Sequence, residues 1–265
     1  MIKVESLHSD TMFKKAFSHV DMFTGLVKDF TGIHLEIDEV EHDKVFDKPV
    51  AKVNTKFDLF AEDKKNRVIV EAQHANYADN FDRFYYYHHV TMVETVASSR
   101  DYRFPMTIIT LVFFTNKISP SPNSGIFVFD TASKDLITGE AIEDLIGKKH
   151  QLFFIFTKEY GHPGTPEPCR EWMNAIHDTL RERADEDDYD NPLIKQLFQI
   201  ISKDKTTPEE RAKMKEEYSQ ELVERSAFNK GIEEGARRLR ASGKFTDEEI
   251  ATAMNLSVEE VQALK

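Results

Sequence analysis

The feature that most constrains this chain is a pair of alternating segments joined by a short polar run. Residues 55–61 read as a strand, with Phe57 and Leu59 on one face and Lys56, Asp58 and Phe60 on the other. Residues 67–73 alternate too, setting Val68, Val70 and Ala72 against Arg67, Ile69, Glu71 and Gln73. The intervening 62–66 (EDKKN) reads as a hairpin turn. If Lys64 and Lys65 are its tip, Asp63 faces Asn66. Counting outward then brings Asp58 opposite Glu71 and Lys56 opposite Gln73.

Opposed residues on antiparallel strands share a face, with Cβ atoms roughly 4.5–5.5 Å apart. Two carboxylates so placed repel each other, and a divalent cation would offset that cost. Mg²⁺ or Mn²⁺ takes oxygen ligands and keeps positions open for water and phosphate. The plainer alternative is a solvated sheet face carrying mixed charges.

Around the hairpin the pattern is mixed. Residues 10–30 read as one helix, with Phe13, Phe17, Val20, Phe23, Leu26, Val27 and Phe30 at helical spacing and Thr31-Gly32 as the stop. Residues 77–99 read as an aromatic-rich helix. Residues 106–115 are apolar, β-branched and short, which suits a buried strand; 125–129 and 151–157 are further strand candidates. Helical segments follow at 167–183, 192–202 and 208–241, with the acidic run 182–190 as a solvated linker between the first two. Thr246 and Ser257 each precede a Glu three residues on, giving capping boxes for two short helices. An α/β half is therefore followed by a helical tail.

A hydrophobic fraction of 40% supplies a core. The lone Cys169 has no internal partner, which points to a reducing, cytoplasmic setting. The N-terminus carries no long apolar run and 107–114 is too short to span a bilayer, so no membrane association is expected. A net charge of -12 argues against a protein that coats polyanions along its whole surface. It leaves room for a local nucleic-acid site.

Asp58, a hairpin and then Glu71-Ala72-Gln73 resemble the core of the PD-(D/E)XK nuclease superfamily. The closer likeness is to its recombination-promoting nuclease or PD-(D/E)XK transposase branch, where E-x-Q often replaces E-x-K. The stretch from Asp10 (DTMFKKAF) resembles that family's opening helix, D-x-x-F-K-x-x-F. The stretch from Arg83 (RFYYY) resembles the Arg and Tyr of the helix after the E-x-Q strand, and that from Phe153 (FFIF) a later strand. The stretch from Gly231 (GIEEG), with Glu249 (EIA) and Leu256 (LSVEE), resembles its tail.

The resemblance implies a restriction-endonuclease-like α/β fold, a mixed sheet core flanked by helices, with an all-helical C-terminal extension. Residues 1–165 would form the nuclease-like core, 166–204 helices packed on it, and 205–265 an extension with a helix-turn-helix-like end. The implied activity is Mg²⁺- or Mn²⁺-dependent endonucleolytic hydrolysis of DNA. Asp58 and Glu71 would hold the metal, joined by the Ala72 carbonyl and by Asp10, which could equally be only an N-cap. Gln73 stands where most of the superfamily has lysine; it can orient a water or hold a phosphate oxygen but cannot carry charge. Lys56, placed across from Gln73, could supply the missing charge or could be a solvated strand residue.

Arg83 and Tyr87, one helical turn apart, could bind the scissile phosphate, or pair with a carboxylate and fill the core respectively. His74, His88 and His89 read as packing or surface residues. The tail helices are Glu-rich, which suits docking better than phosphate contact, and residues 208–241 could pair with a second copy. A non-catalytic relative of the fold, acting as a nucleic-acid or protein interaction module, is the other functional reading.

Overall fold

The computed structural model describes residues 1–46, 55–74, 80–96, 100–116, 125–142 and 148–264. Six strands form one mixed sheet: β1 (Glu41–Val45), β2 (Lys56–Glu62), β3 (Asn66–Gln73), β4 (Thr107–Phe114), β5 (Ile126–Asp130) and β6 (Gln151–Phe156). Their order is β1-β2-β3-β4-β6-β5. β3, β4 and β6 run parallel at the centre, and β1, β2 and β5 are antiparallel to their neighbours.

The central strands are apolar on both faces because helices cover both. On one side lie α1 (Asp10–Phe17), α2 (Val20–Thr31), α4 (Glu167–Thr179) and α5 (Pro192–Ile200). Phe13, Phe17, Leu26 and Trp172 from these helices bury against Leu59, Val70, Leu111 and Phe113 of the sheet. On the other side α3 (Asn80–Glu94) presents Phe84 to Val112, Phe114 and Phe154.

The hairpin register is the one counted from the sequence, with Leu59 paired to Val70 and Glu62 to Arg67. Asp63 makes the turn: its N–H donates to the Asn66 carbonyl, and its carboxylate accepts from the N–H groups of Lys65 and Asn66 at 2.7 Å. The face assignment in β2 is corrected. Phe57 clusters with Phe60, Ile69 and Tyr87, whereas Leu59 joins the opposite core. An irregularity in β1 lies opposite the switch. His42 pairs with Leu59 and Lys44 with Phe57, but Asp43, at φ 56°, leaves the ladder where it faces Asp58. An L-residue in the left-handed region bends its strand locally, and Asp is one of the few residues that tolerates it.

Other expectations shift. The helix over 10–30 is two helices: Lys14 and Lys28 carbonyls close α1 at Ser18 and α2 at Gly32, and His19 starts α2. Asp10 is not the N-cap; Ser9 is, its hydroxyl accepting the Met12 N–H. The acidic run is not a free linker. Arg183–Ala184 pairs with Ile2–Lys3, and Tyr189 is buried with its hydroxyl donating to Asp178 at 2.7 Å. The strand β1 and the small ribbon Ser133–Lys134 with Ala141–Ile142 are additions. Residues 77–79 and 97–99, at the ends of the expected aromatic helix, lie outside the described residues.

The chain forms two compact units, Met1–Met214 and Lys215–Lys265. The helices over 166–204 thus belong to the first unit. The second contains the rest of α6 (Pro208–Ala241) with α7 (Asp247–Met254) and α8 (Val258–Ala263), both opened by complete capping boxes. Its core is Ala236, Ile250, Ala251 and Val261. Arg240 is engaged within this unit, donating to Asp247 and to the Gln262 and Leu264 carbonyls. No helix among the described residues is long and apolar enough to cross a membrane.

Candidate functional site

The site lies where β2 leaves β3, at the C-terminal end of β3 and beside α1. The Asp58 N–H donates to Glu71 Oε1 at 3.1 Å, and Asp58 Oδ2 accepts the Ala72 N–H at 3.2 Å. Glu71 is 5% exposed, and burial followed by the Asp58 charge pushes its pKa well above the ordinary carboxylate range. Burial raises Asp58 too, against the opposing pull of the Lys14 ammonium. A buried carboxyl pair of this kind retains a proton or takes up a cation.

Asp10, from the first turn of α1, lies near enough to raise Asp58 further. Its own carboxylate is 3.2 Å from His74 Nε2. Burial opposes its ionisation most strongly, but the His74 hydrogen bond with the charges of His74 and Lys14 together hold the pKa below the ordinary value. His74 Nδ1 lies 2.8 Å from the Thr115 hydroxyl, and its ring sits 4.6 Å from that of His8. His74 therefore borders the site, a position its sequence context does not disclose.

Gln73 is buried, and its amide oxygen accepts from Arg83 of α3. Arg83 also lowers the pKa of Glu71 through its charge, against the larger effect of burial. Tyr87 packs its ring on Phe57 at 5.7 Å and on Phe84 at 5.9 Å, so the body of this side chain is core. The β2–β3 ladder ends at Leu59 and Val70, short of Lys56 and Gln73, and Lys56 pairs with Val45 of β1. Its ammonium sits 2.8 Å from Asp43, and the side chain is 64% exposed.

The lysine that does reach the carboxylates is Lys14. Its Nζ lies 2.8 Å from Asp43 Oδ1 and 3.3 Å from Asp58 Oδ1. Burial lowers its pKa, but Asp43 and Asp58 outweigh burial and raise it, so it stays charged. The sequence offered a signal: Asp10 and Lys14 are four apart and share a helix face. Asp43 had none, because its place depends on a left-handed backbone in a polar strand.

Among the described residues, no group of three or more His, Cys, Asp and Glu is placed to hold a metal ion. The donor set still suits Mg²⁺, which binds through one or two carboxylates and keeps several waters. Asp58 and Glu71 would be the two hard oxygen ligands of such an ion, and it would relieve their mutual repulsion.

No family model matches the chain, and neither does any curated protein or solved structure.

Proposed function

We propose that the chain is a metal-dependent endonuclease that hydrolyses DNA phosphodiesters at the Asp58–Glu71 site, on a restriction-endonuclease-like core. The observation that carries this reading is the half-buried Asp58 bonded to the strand of the buried Glu71 at the end of a mixed sheet, with Lys14 and Arg83 beside them. Asp58 and Glu71 would hold Mg²⁺ or Mn²⁺, with the Ala72 carbonyl and Asp10 as further candidate ligands. Such an ion supplies Lewis acidity and a hydroxide near neutral pH. Gln73, oriented by Arg83, can hold a water or a phosphate oxygen, and Arg83 can counter phosphate charge. The setting is that of a transposase-like or recombination-promoting nuclease. The test is incubation of the purified protein with supercoiled plasmid, with and without Mg²⁺, beside Asp58→Ala. Nicking that needs both the metal and Asp58 supports the reading; its absence refutes it.

The second reading, a non-catalytic nucleic-acid or protein interaction module, is favoured by one observation. Lys14 already balances Asp58 and Asp43 without a metal. A protein of that kind binds DNA or a partner equally well in chelator and in Mg²⁺, and leaves plasmid intact.

A further inference from the structure

We propose that Lys14 supplies the positive charge that faces the scissile phosphate in this site, and that Asp43 is the residue that positions it. This rests on the nuclease reading and adds to it a charge and a residue outside the hairpin. Among the described residues three cations stand near the carboxyl pair, and their geometry separates them. Lys56 is held at the solvent edge by Asp43. Arg83 is engaged with Gln73 on the α3 side. Of these three, Lys14 is the one that is both largely buried, at 20% exposure, and in contact with an oxygen of Asp58.

An ammonium has three N–H donors. One is committed to Asp43 at 2.8 Å and one lies toward Asp58 at a looser 3.3 Å. A third has no partner among the described residues, and the looser contact is the easier to exchange for a phosphate oxygen. Asp43 is what makes this arrangement stable. Its left-handed backbone takes it out of the β1–β2 ladder at the position facing Asp58, and its carboxylate there receives Lys14. Asp43 therefore acts through Lys14. A positive charge fixed before the reaction stabilises charge on a phosphoryl group more than a mobile surface lysine can.

The test uses the full-length protein, a labelled DNA duplex in Mn²⁺, and separate titration calorimetry of Mn²⁺ binding. Lys14→Met is expected to lose about 10²-fold in kcat, the scale of one transition-state contact, while binding Mn²⁺ as tightly as wild type or tighter. Lys14→Arg recovers part of the rate. Asp43→Asn lowers kcat when Lys14 is present and causes no further loss in the Lys14→Met background, as expected of a residue that works through another. If Lys14→Met fails to fold, Lys14→Gln serves in the same comparison.

Wild-type kcat in Lys14→Met overturns the proposal, as does a rate loss matched by an equal loss of Mn²⁺ affinity. An Asp43→Asn effect that persists in full without Lys14 overturns the positioning role. Asp58-dependent cleavage that is indifferent to Lys14 sinks this inference alone. A wild type without Asp58-dependent cleavage sinks the nuclease reading and this inference together.

Discussion

Replacing Glu71 with glutamine removes a charge that the fold opposes, and the consequence for stability has a definite sign. Burial and the neighbouring Asp58 hold the Glu71 pKa well above its ordinary value of 4.5. Between those two values the native protein keeps a proton that the unfolded chain has released. Stability therefore falls as pH rises through that window, by up to about 1.4 kcal/mol per pH unit. Glutamine does not titrate, and its carbonyl can still accept the Asp58 N–H that Glu71 Oε1 accepts at 3.1 Å. Glu71→Gln should therefore gain on wild type with rising pH, until the folded-state pKa is passed. For a compact unit spanning Met1–Met214, each kcal/mol moves Tm by about 2–4 °C. The expected difference is then at most about 3–6 °C per pH unit. Scanning calorimetry of both proteins from pH 5 to 8 in chelator measures it, and titrations common to both cancel. A difference that is flat with pH, or that favours wild type as pH rises, would refute the reasoning. Adding Mn²⁺ supplies the complementary arm. Wild type should gain about 2.7 kcal/mol at one hundred times Kd, and Glu71→Gln should gain little.

Lys56→Ala should leave plasmid cleavage close to wild type in initial-rate assays, because an exposed ion pair is worth about 1 kcal/mol or less; a loss near 10²-fold would return Lys56 to the chemistry. Trp172→Phe removes the indole N–H that donates to Asp29 at 2.7 Å and should cost about 1.5–3 kcal/mol in urea unfolding. Burial, with the charges of His89 and His150, pushes His88 down to about 3. The unfolded chain then binds the extra proton between pH 6.5 and 3, so stability is lost as pH falls through that window. His88→Gln should flatten this acid limb in urea midpoints measured from pH 6.5 to 4. Gly125 has φ 72°, and a Cβ there would lie 3.0 Å from the Glu159 carbonyl oxygen, so Gly125→Ala should destabilise by more than about 1 kcal/mol in the same assay.

The sheet was legible where period-two alternation and turn chemistry agreed. Asp63 and Asn66 set the hairpin, and that register alone brings Asp58 to Glu71. The caps of α7 and α8 were legible because Thr246 and Ser257 act within four residues of chain. What escaped depended on distant parts of the chain or on backbone rather than side-chain pattern. The break between α1 and α2 is invisible to apolar spacing, since Phe17, Val20 and Phe23 stay in phase across Ser18 and His19. Tyr189 was hidden in an acidic run whose charges point outward while its ring packs on Phe198 at 5.3 Å. Strand β1, EHDKV, offers no apolar alternation, so Asp43 could not be anticipated and the face switch at Phe57 went unread. Lys56 was misplaced for the same reason: ideal alternation was carried through a position where the ladder is interrupted.

The order in which a ribosome delivers this chain gives the N-terminal contacts another meaning. Ile2 and Lys3 pair with Ala184 and Arg183, and Val4 bridges to Ser202. Lys15, next in sequence to Lys14, donates to the Lys205 carbonyl and to Glu210. During synthesis residues 2–15 therefore wait for residues 183–210 before they have these partners. The hairpin with Asp58 and Glu71 can close early, but the helix that brings Asp10 and Lys14 to it is fixed late. A nascent chain would thus hold the carboxyl pair without its companions, and the full set of Asp10, Lys14, Asp58 and Glu71 would be assembled only when the first unit is nearly complete.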